Sequence, residues 1–315
     1  AVNRGAFRFL TRQFENRTVV KRYIAILHGK LEPQAGSASW GTWRWPLSKA
    51  AGGRNNPAGA VKRLPCETRY RVQAHSQHYT KVAVEILSGR THQIRRHAKL
   101  SGHAVVGDQR YGSLRALNYL KEKMNFTRLG LHARSITVCL EPGVEPQTVE
   151  TPDMPLSMKT LFINDALKIE SVDPRTPAVS RMIADLDVFQ ASLYPPESNH
   201  LVDVQKLAGK AYYFIAALDR GQPKAIASFK RTAEGYAEIK RLYVPKDLRG
   251  LKLASRLMDV LEQTARQEGF GEARLETGIH QQAAIALYEK RGYEKIDPFG
   301  SYTEDPLSVF MGKKL

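Results

Sequence analysis

The sequence predicts an α+β protein made of two unlike halves. Three observations point there. The chain of 315 residues is long enough for two domains with ordinary cores, and its 42% apolar and 25% charged content is globular. Charge is unevenly spread: residues 1–166 hold 26 Lys+Arg against 11 Asp+Glu, whereas residues 167–315 hold 22 against 20. Patterning also changes, from strands and turns with a few helices to a regular alternation of strand and helix.

In the first half, R-Y-I-A-I-L-H-G (22–29) and T-K-V-A-V-E-I-L (80–87) alternate as half-buried strands. Residues 33–60 are rich in Gly, Ala and Ser around Trp40, Trp43 and Trp45, which predicts a long hairpin insertion or loop. Those tryptophans suit packing of the hairpin better than stacking on bases. S-G-R-T-H-Q-I-R-R-H (88–97) is a strand-to-helix junction with a helix starting near Thr91, and G-D-Q-R-Y-G follows at 107–112. Residues 141–155 carry four prolines and turn acidic, so the boundary is expected near 160–168. The expected organisation is a domain over 1–160, a linker over 161–167 and a second domain over 168–315. The second half reads β-α-α-β-β-β-α-β-α-β. It has a hairpin at 211–219 and 224–230, a strand at 237–244 and a helix at about 250–268. That helix carries Ala254, Leu257, Met258, Leu261 and Ala265 on one face. A strand at 272–277 and a helix at 281–291 follow.

Composition excludes several classes. No apolar run approaches the ~20 residues a membrane span needs, and A-V-N-R-G-A-F-R is not a signal peptide. No membrane partner is expected. Cys66 and Cys139 make neither a disulfide framework nor a zinc site, and a cytoplasmic location fits them. The first residue is Ala, as expected of a removed initiator or of a piece of a longer chain. The net charge of +17, concentrated in the first half, favours a polyanion.

The junction at 88–97 is crowded with donors. His92, His97 and His103 do not suit metal, because on a helix a spacing of five turns His92 and His97 about 140° apart. Arg90, Arg95 and Arg96 suit phosphate oxygens better, with helix N-terminal amides in support.

These motifs also carry a resemblance. G-R-T-H-Q-I-R-R-H with G-D-Q-R-Y-G, R-Q-F-E-N-R-T-V-V-K-R-Y-I-A-I-L-H-G (12–29) and L-G-L-H-A (129–133) resemble RluA-type RNA pseudouridine synthases over residues 1–160. The resemblance implies a mixed, mainly antiparallel sheet, truncated here, and isomerisation of a flipped uridine in rRNA or tRNA. It implies that Tyr23 packs on the base and that Arg95 organises the catalytic aspartate. Arg90, His92, Gln93 and Arg96 would bind RNA. The family's nucleophile lies in an H-R-L-D-like segment upstream of the K-x-Y tyrosine, and no such segment occurs in these 315 residues. Asp108, Asp153 and Asp165 are the aspartates of this half, and Asp108 matches a structural G-D. This chain is therefore expected to bind RNA weakly at best and not to isomerise uridine.

In the second half, R-L-Y-V-P-K-D-L-R-G-L-K-L-A-S-R-L-M (241–258) is a strand, a turn and a helix whose first amides suit a pyrophosphate. Residues 168–315 resemble a GNAT N-acetyltransferase, which implies a GNAT α/β domain and acetyl-CoA as acyl donor. The family's R/Q-x-x-G-x-G/A loop reads Arg249-Gly250-Leu251-Lys252-Leu253-Ala254, with Lys252 at the middle glycine. A later N-x-x-A-x-x-L-Y-x-x-x-G-[FY] pattern runs from Gln281, which replaces Asn, through Tyr288 to Tyr293. The resemblance implies direct attack of an amine on the thioester. Glu238 would be the general base, with Glu276 as second candidate. An amide near Tyr243 or Val244 would polarise the carbonyl. Tyr288 would protonate the leaving thiolate, and residues 194–200 would line the acceptor side. The acceptor amine is not legible. The alternative to two enzymes in one chain is an acetyltransferase with a non-catalytic RNA-binding module.

Overall fold

The computed structural model describes residues 3–33, 39–86, 88–151, 154–195 and 202–315. The chain divides into two compact units, Ala1–Ala166 and Leu167–Leu315.

The first unit runs α1 (Arg4–Glu15), β1 (Val20–His28), β2 (Gly41–Trp43), β3 (Leu47–Ser48), β4 (Arg63–Leu64), β5 (Thr68–His75), β6 (Tyr79–Ile86), α2 (Gln93–Leu100), α3 (Leu114–Glu122), β7 (Leu131–Val138), β8 (Gln147–Glu150) and α4 (Leu156–Ala166). Six strands form an antiparallel sheet in the order β2-β5-β6-β1-β7-β8, and β3 and β4 form a separate two-stranded ribbon. The period of two along β1 sends neighbouring residues to opposite faces. Ala25 and Leu27 join a core completed by Ile94 and Ala98 of α2. Ile26 joins a second core with Leu120 of α3 and Met158, Leu161 and Phe162 of α4. That second core corrects the expected linker over 161–167. Prolines mark where α4 begins, but its apolar face is buried against the sheet up to the unit's end. Two tryptophans of the insertion pack as the sequence suggests, while Trp45 stays 41% exposed. Trp43 is buried and stacks on Tyr70 at 4.5 Å, and the Arg69 and Arg71 guanidinium groups lie over Trp40.

The second unit runs β9 (Lys168–Ser171), α5 (Pro177–Ala191), α6 (Val204–Leu207), β10 (Tyr212–Asp219), β11 (Gln222–Arg231), β12 (Tyr236–Tyr243), α7 (Leu253–Gln267), β13 (Glu272–Gly278), α8 (Gln282–Lys290), β14 (Glu294–Lys295) and β15 (Ser308–Lys314). This is the expected alternation. Its seven-stranded sheet has the order β14-β15-β13-β12-β11-β10-β9. β12 and β13 pair in parallel with α7 as their crossover, and the neighbouring pairings are antiparallel. α7 buries Leu257, Met258, Leu261 and Ala265, the stripe its helical spacing predicts. α5 buries Val179, Met182 and Ile183 with Phe214, Ala216 and Ile226 of the sheet.

Two backbone features position the site of this unit. β12 and β13 stay paired only from Tyr236↔Glu272 to Ile239↔Leu275, then part. On the other edge of β12, Ile226 faces Tyr243 and Ser228 faces Lys240. Arg241 and Leu242 therefore both oppose Ala227, which is a β-bulge, and Arg241 takes a left-handed φ of 58°.

Candidate active site

Where β12 and β13 part, the next residues along each strand line a cavity of about 80 Å³. Lys240, Arg241 and Leu242 come from β12, and Glu276, Thr277 and Gly278 from β13. Gln281 and Tyr288 close one side, Tyr302 another, and Gln190 and Tyr194 face them from the end of α5 and just beyond it. Of the expected catalytic groups, Tyr288 and Glu276 therefore share one cavity with Gln281. Tyr288 is 6% exposed, and burial, with the nearby Glu276 carboxylate, pushes its hydroxyl far above the ordinary tyrosine value. It is an O–H donor at any working pH. Ser308 Oγ donates to Glu276 at 2.8 Å.

Glu238 is placed differently from expectation. It is 5% exposed, accepts a hydrogen bond from Tyr302 Oη at 2.7 Å and pairs with Lys240 Nζ at 2.9 Å. Lys240 Nζ also donates to Tyr302 Oη at 2.6 Å, closing a triangle. The strand's period of two puts Glu238 and Lys240 on one face, yet Tyr302 and Lys240, not Glu238, line the cavity. Burial, followed by the Glu238 carboxylate, raises the Tyr302 hydroxyl far above its usual value. Sequence reasoning missed Lys240 and Tyr302. The signal was available for Lys240, since a Lys two residues after a Glu on a strand is a same-face pair. Tyr302 ends a P-x-G-x-Y segment (298–302) that resembles a GNAT subgroup's, but it lies 64 residues from Glu238 and nothing local pairs the two.

Tyr194 was named only as the start of the acceptor-side segment, of which 196–200 lie outside the described residues. Its hydroxyl accepts from the His280 N–H at 3.0 Å, and its ring stacks on His280 at 5.7 Å. The ring lies so close to Gly278 that a Cβ there would run into it.

The loop before α7 has a backbone suited to an anion. Gly250 takes φ 80°, and Lys252, its N-cap, takes the left-handed φ 61°, ψ 19° with no side-chain cap bond. The first amides of an α-helix lack intrahelical acceptors and carry its positive dipole end. Arg249, Gly250 and Lys252 are exposed, whereas Leu251 and Leu253 are buried and hold the loop down. The left-handed conformation is the reason a glycine suits position 252. A lysine there costs about 1–2 kcal/mol. Arg249 Nε donates to Val244 O at 3.2 Å. The bulge lies at Arg241–Leu242, just upstream of the expected Tyr243 and Val244.

In the first unit the junction at 88–97 is turned inward. Arg96 is 0% exposed, and its guanidinium donates to Pro57 O, Ser48 O, Ser48 Oγ, Ala58 O and Thr91 O at 2.5–3.3 Å. Gln93, 2% exposed, donates to Glu67 O and Thr68 Oγ1 and accepts from Ser88 Oγ and the Arg90 amide. Both were expected to bind RNA; both instead hold the hairpin insertion and the turn against α2, because a buried donor must find a protein acceptor. His92 caps α2 in a left-handed conformation, and its Nδ1 lies 3.2 Å from Tyr111 Oη. Burial, then the Arg95 and Arg110 charges, hold it below its usual value. Arg90 lies half-buried in the turn before it.

Arg95 makes two 2.7 Å bonds to the fully buried Asp108, and its guanidinium lies over the Tyr111 ring. Burial raises the Asp108 carboxyl, but Arg95 and the Tyr111 and Arg110 amides outweigh it and hold it below the usual carboxylate range. Asp165 accepts from Ser76 Oγ and from the His78 amide, and pairs with His78 Nδ1. Both described aspartates are thus engaged structurally, and Asp153 lies outside the described residues. Tyr23 packs at the edge of the α2-side core, and burial raises its hydroxyl. No hydrogen bond or ring contact among the described residues joins it to Arg95. His97 donates from Nε2 to Trp45 O and accepts at Nδ1 from Thr68, so it is a structural imidazole. Among the described residues there is no group of three or more metal-type ligands.

Comparison with known proteins agrees with this division. The model of the acetyltransferase (GNAT) family matches residues 181–293, and that of RNA pseudouridylate synthase matches residues 1–100. The IAA acetyltransferase of Azospirillum brasilense is 41% identical over 143 residues, 45% of this chain and 94% of that protein. Ribosomal large subunit pseudouridine synthase C of Vibrio vulnificus is 32% identical over 152 residues, 48% of this chain and 46% of that protein. The dual-specificity RNA pseudouridine synthase RluA of Haemophilus ducreyi is 32% identical over 155 residues, 48% of this chain and 65% of that protein. The chain belongs, through its second unit, to the GNAT acetyltransferase family, and its first unit is similar to pseudouridine synthases. It spans about half the length of the curated pseudouridine synthases it matches.

Proposed function

We propose that the second unit transfers an acetyl group from acetyl-CoA to a small amine bound in the cavity between β12 and β13. The observation that carries this is the meeting of Glu276, Tyr288 and the Arg241–Leu242 bulge at one cavity. Arg249, Gly250 and the first amides of α7 would hold the pyrophosphate, with Leu251, Lys252, Leu253 and Ala254 forming the loop and Gln281 at the far wall. Acetyl-CoA supplies the acyl group as an activated thioester. Glu276 takes a proton from the acceptor ammonium, leaving a nucleophilic amine. A backbone amide freed by the bulge, at or just before Tyr243 and Val244, donates to the carbonyl oxygen as charge gathers there. As the C–N bond forms and the C–S bond breaks, Tyr288 passes its proton to sulfur and recovers one from the amide nitrogen. Glu276 returns its proton to solvent. Glu238, held by Tyr302 and Lys240, acts as a positioning residue.

The first unit we propose as an RNA-recognition module with Tyr23, Arg90 and His92 as its candidate contacts, on the strength of its charge and its relatives. Arg95 already holds the Asp108 carboxylate, so isomerisation of uridine by this unit would need an H-R-L-D-like aspartate supplied from outside these residues. A cytoplasmic location goes with this, supported by two free thiols, Cys66 and Cys139. Among the described residues no helix is long and apolar enough to cross a membrane. The test is thiol release from acetyl-CoA across a panel of amines, with Glu276→Gln and Tyr288→Phe. Turnover that survives both variants would sink this assignment.

A further inference from the structure

We propose that the acetyl acceptor is a small aminocarboxylate, with its ammonium at Glu276 and its carboxylate at Lys240 beside Tyr302. This rests on the acetyltransferase reading of the second unit. Groups of opposite charge line one cavity of about 80 Å³. Glu276 supplies the negative wall. Arg241 also lines the cavity, with its two terminal nitrogens turned to Asp187 and to Val202 O. Lys240, its neighbour on β12, stands beside the Tyr302 hydroxyl at 2.6 Å and is the cation we assign to the carboxylate. Its ammonium has three N–H groups, and Glu238 and Tyr302 take two of them.

The closed triangle is costly unless it does something. A lysine 16% exposed and a glutamate 6% exposed have lost most of their water, and a buried pair seldom repays that loss through stability alone. Glu238 fixes the ammonium in place, while Tyr302 fixes its direction. A carboxylate meeting such a preset donor loses little on binding beyond its own hydration. A monoamine would leave the Lys240 donor facing an apolar group, which a site built for hydrogen bonds rejects strongly.

The test compares free small amino acids with their C-terminal amides and with the corresponding decarboxylated amines, using the full chain and acetyl-CoA. The acids are expected to exceed their amides by about 10- to 100-fold in kcat/KM, the range a charge-assisted hydrogen bond supplies. Lys240→Met should remove that preference mainly through KM. Glu238→Gln, which removes the group that fixes Lys240, should also shrink that preference, raising KM for the acids more than for their amides. A fall in the acid-to-amide ratio with turnover of the amides retained cannot come from a misfolded variant. Amides or monoamines used as well as the acids would overturn the acceptor class while leaving acetyl transfer intact. Failure of every amine in the panel would overturn the class too. Calorimetric binding of acetyl-CoA then decides whether the acetyltransferase reading falls with it.

Discussion

Each unit has a strand–turn–helix junction that enters its helix through a left-handed, non-glycine residue without a side-chain cap: His92 before α2 and Lys252 before α7. Both junctions are rich in cations, and both suggested an anion site in the sequence. They use those cations in opposite ways. Around α2, Arg96 and Arg95 are spent on backbone carbonyls and on Asp108. Around α7, Arg249 and Lys252 stay exposed beside amides with no helical acceptor. Charge in a motif therefore says that an acceptor is needed. Burial decides whether the acceptor is the protein or a ligand.

The contrast can be broken most severely at Arg96. Arg96→Met is expected to destabilise the first unit by about 3–5 kcal/mol, since it leaves several buried carbonyls without a donor at about 1–3 kcal/mol each. Denaturant unfolding followed by tryptophan fluorescence should show it. Unchanged stability with lost RNA affinity would instead make Arg96 ligand-facing. Next in size is Tyr288→Phe, expected to lower kcat by about 100-fold, at the lower end for an acid–base group. Calorimetry should find acetyl-CoA affinity unchanged.

Lys252→Gly comes third. Release of the left-handed lysine should stabilise the second unit by about 1 kcal/mol, raising its thermal midpoint, with tighter acetyl-CoA binding. The same change at His92 also relieves strain but forfeits the Tyr111 contact, so less gain is expected there.

The smallest effect is pH sensitivity. Burial lowers the His28 and His97 values in the first unit. A histidine whose folded value lies below its unfolded one contributes stability that is complete above about pH 6.5 and is lost as pH falls toward the folded value. The first unit's midpoint should therefore fall between pH 7 and 5, and His97→Gln should flatten that decline. An equal fall in the second unit would show that the cause lies elsewhere.

Most of the architecture was legible because the strands alternate cleanly and α7 keeps a helical stripe. The error at 161–167 came from treating prolines as the end of a domain. Leu161 and Phe162 show that a proline-marked turn can precede a helix that finishes the same core. The second unit's site was partly legible, since Tyr288, Gln281 and the α7 loop lie in one short motif each. The first unit's was not, because local sequence cannot tell that Arg96 meets Ser48 or that Gln93 meets Glu67. Ser48 comes from an insertion folded back on the motif, and Glu67 from the segment just before β5. The Glu238–Lys240–Tyr302 triangle was hidden for the same reason, one corner being remote in sequence.

The close approach of Tyr194 to Gly278 also restricts how this cavity can change over generations. A side chain at position 278 is blocked while the tyrosine stays. Shrinking residue 194 opens the space first, and only then does a larger residue at 278 become admissible. The order of two mutations therefore matters: a side chain placed first at 278 has to push the Tyr194 ring aside, whereas a smaller residue at 194 clears the space in advance.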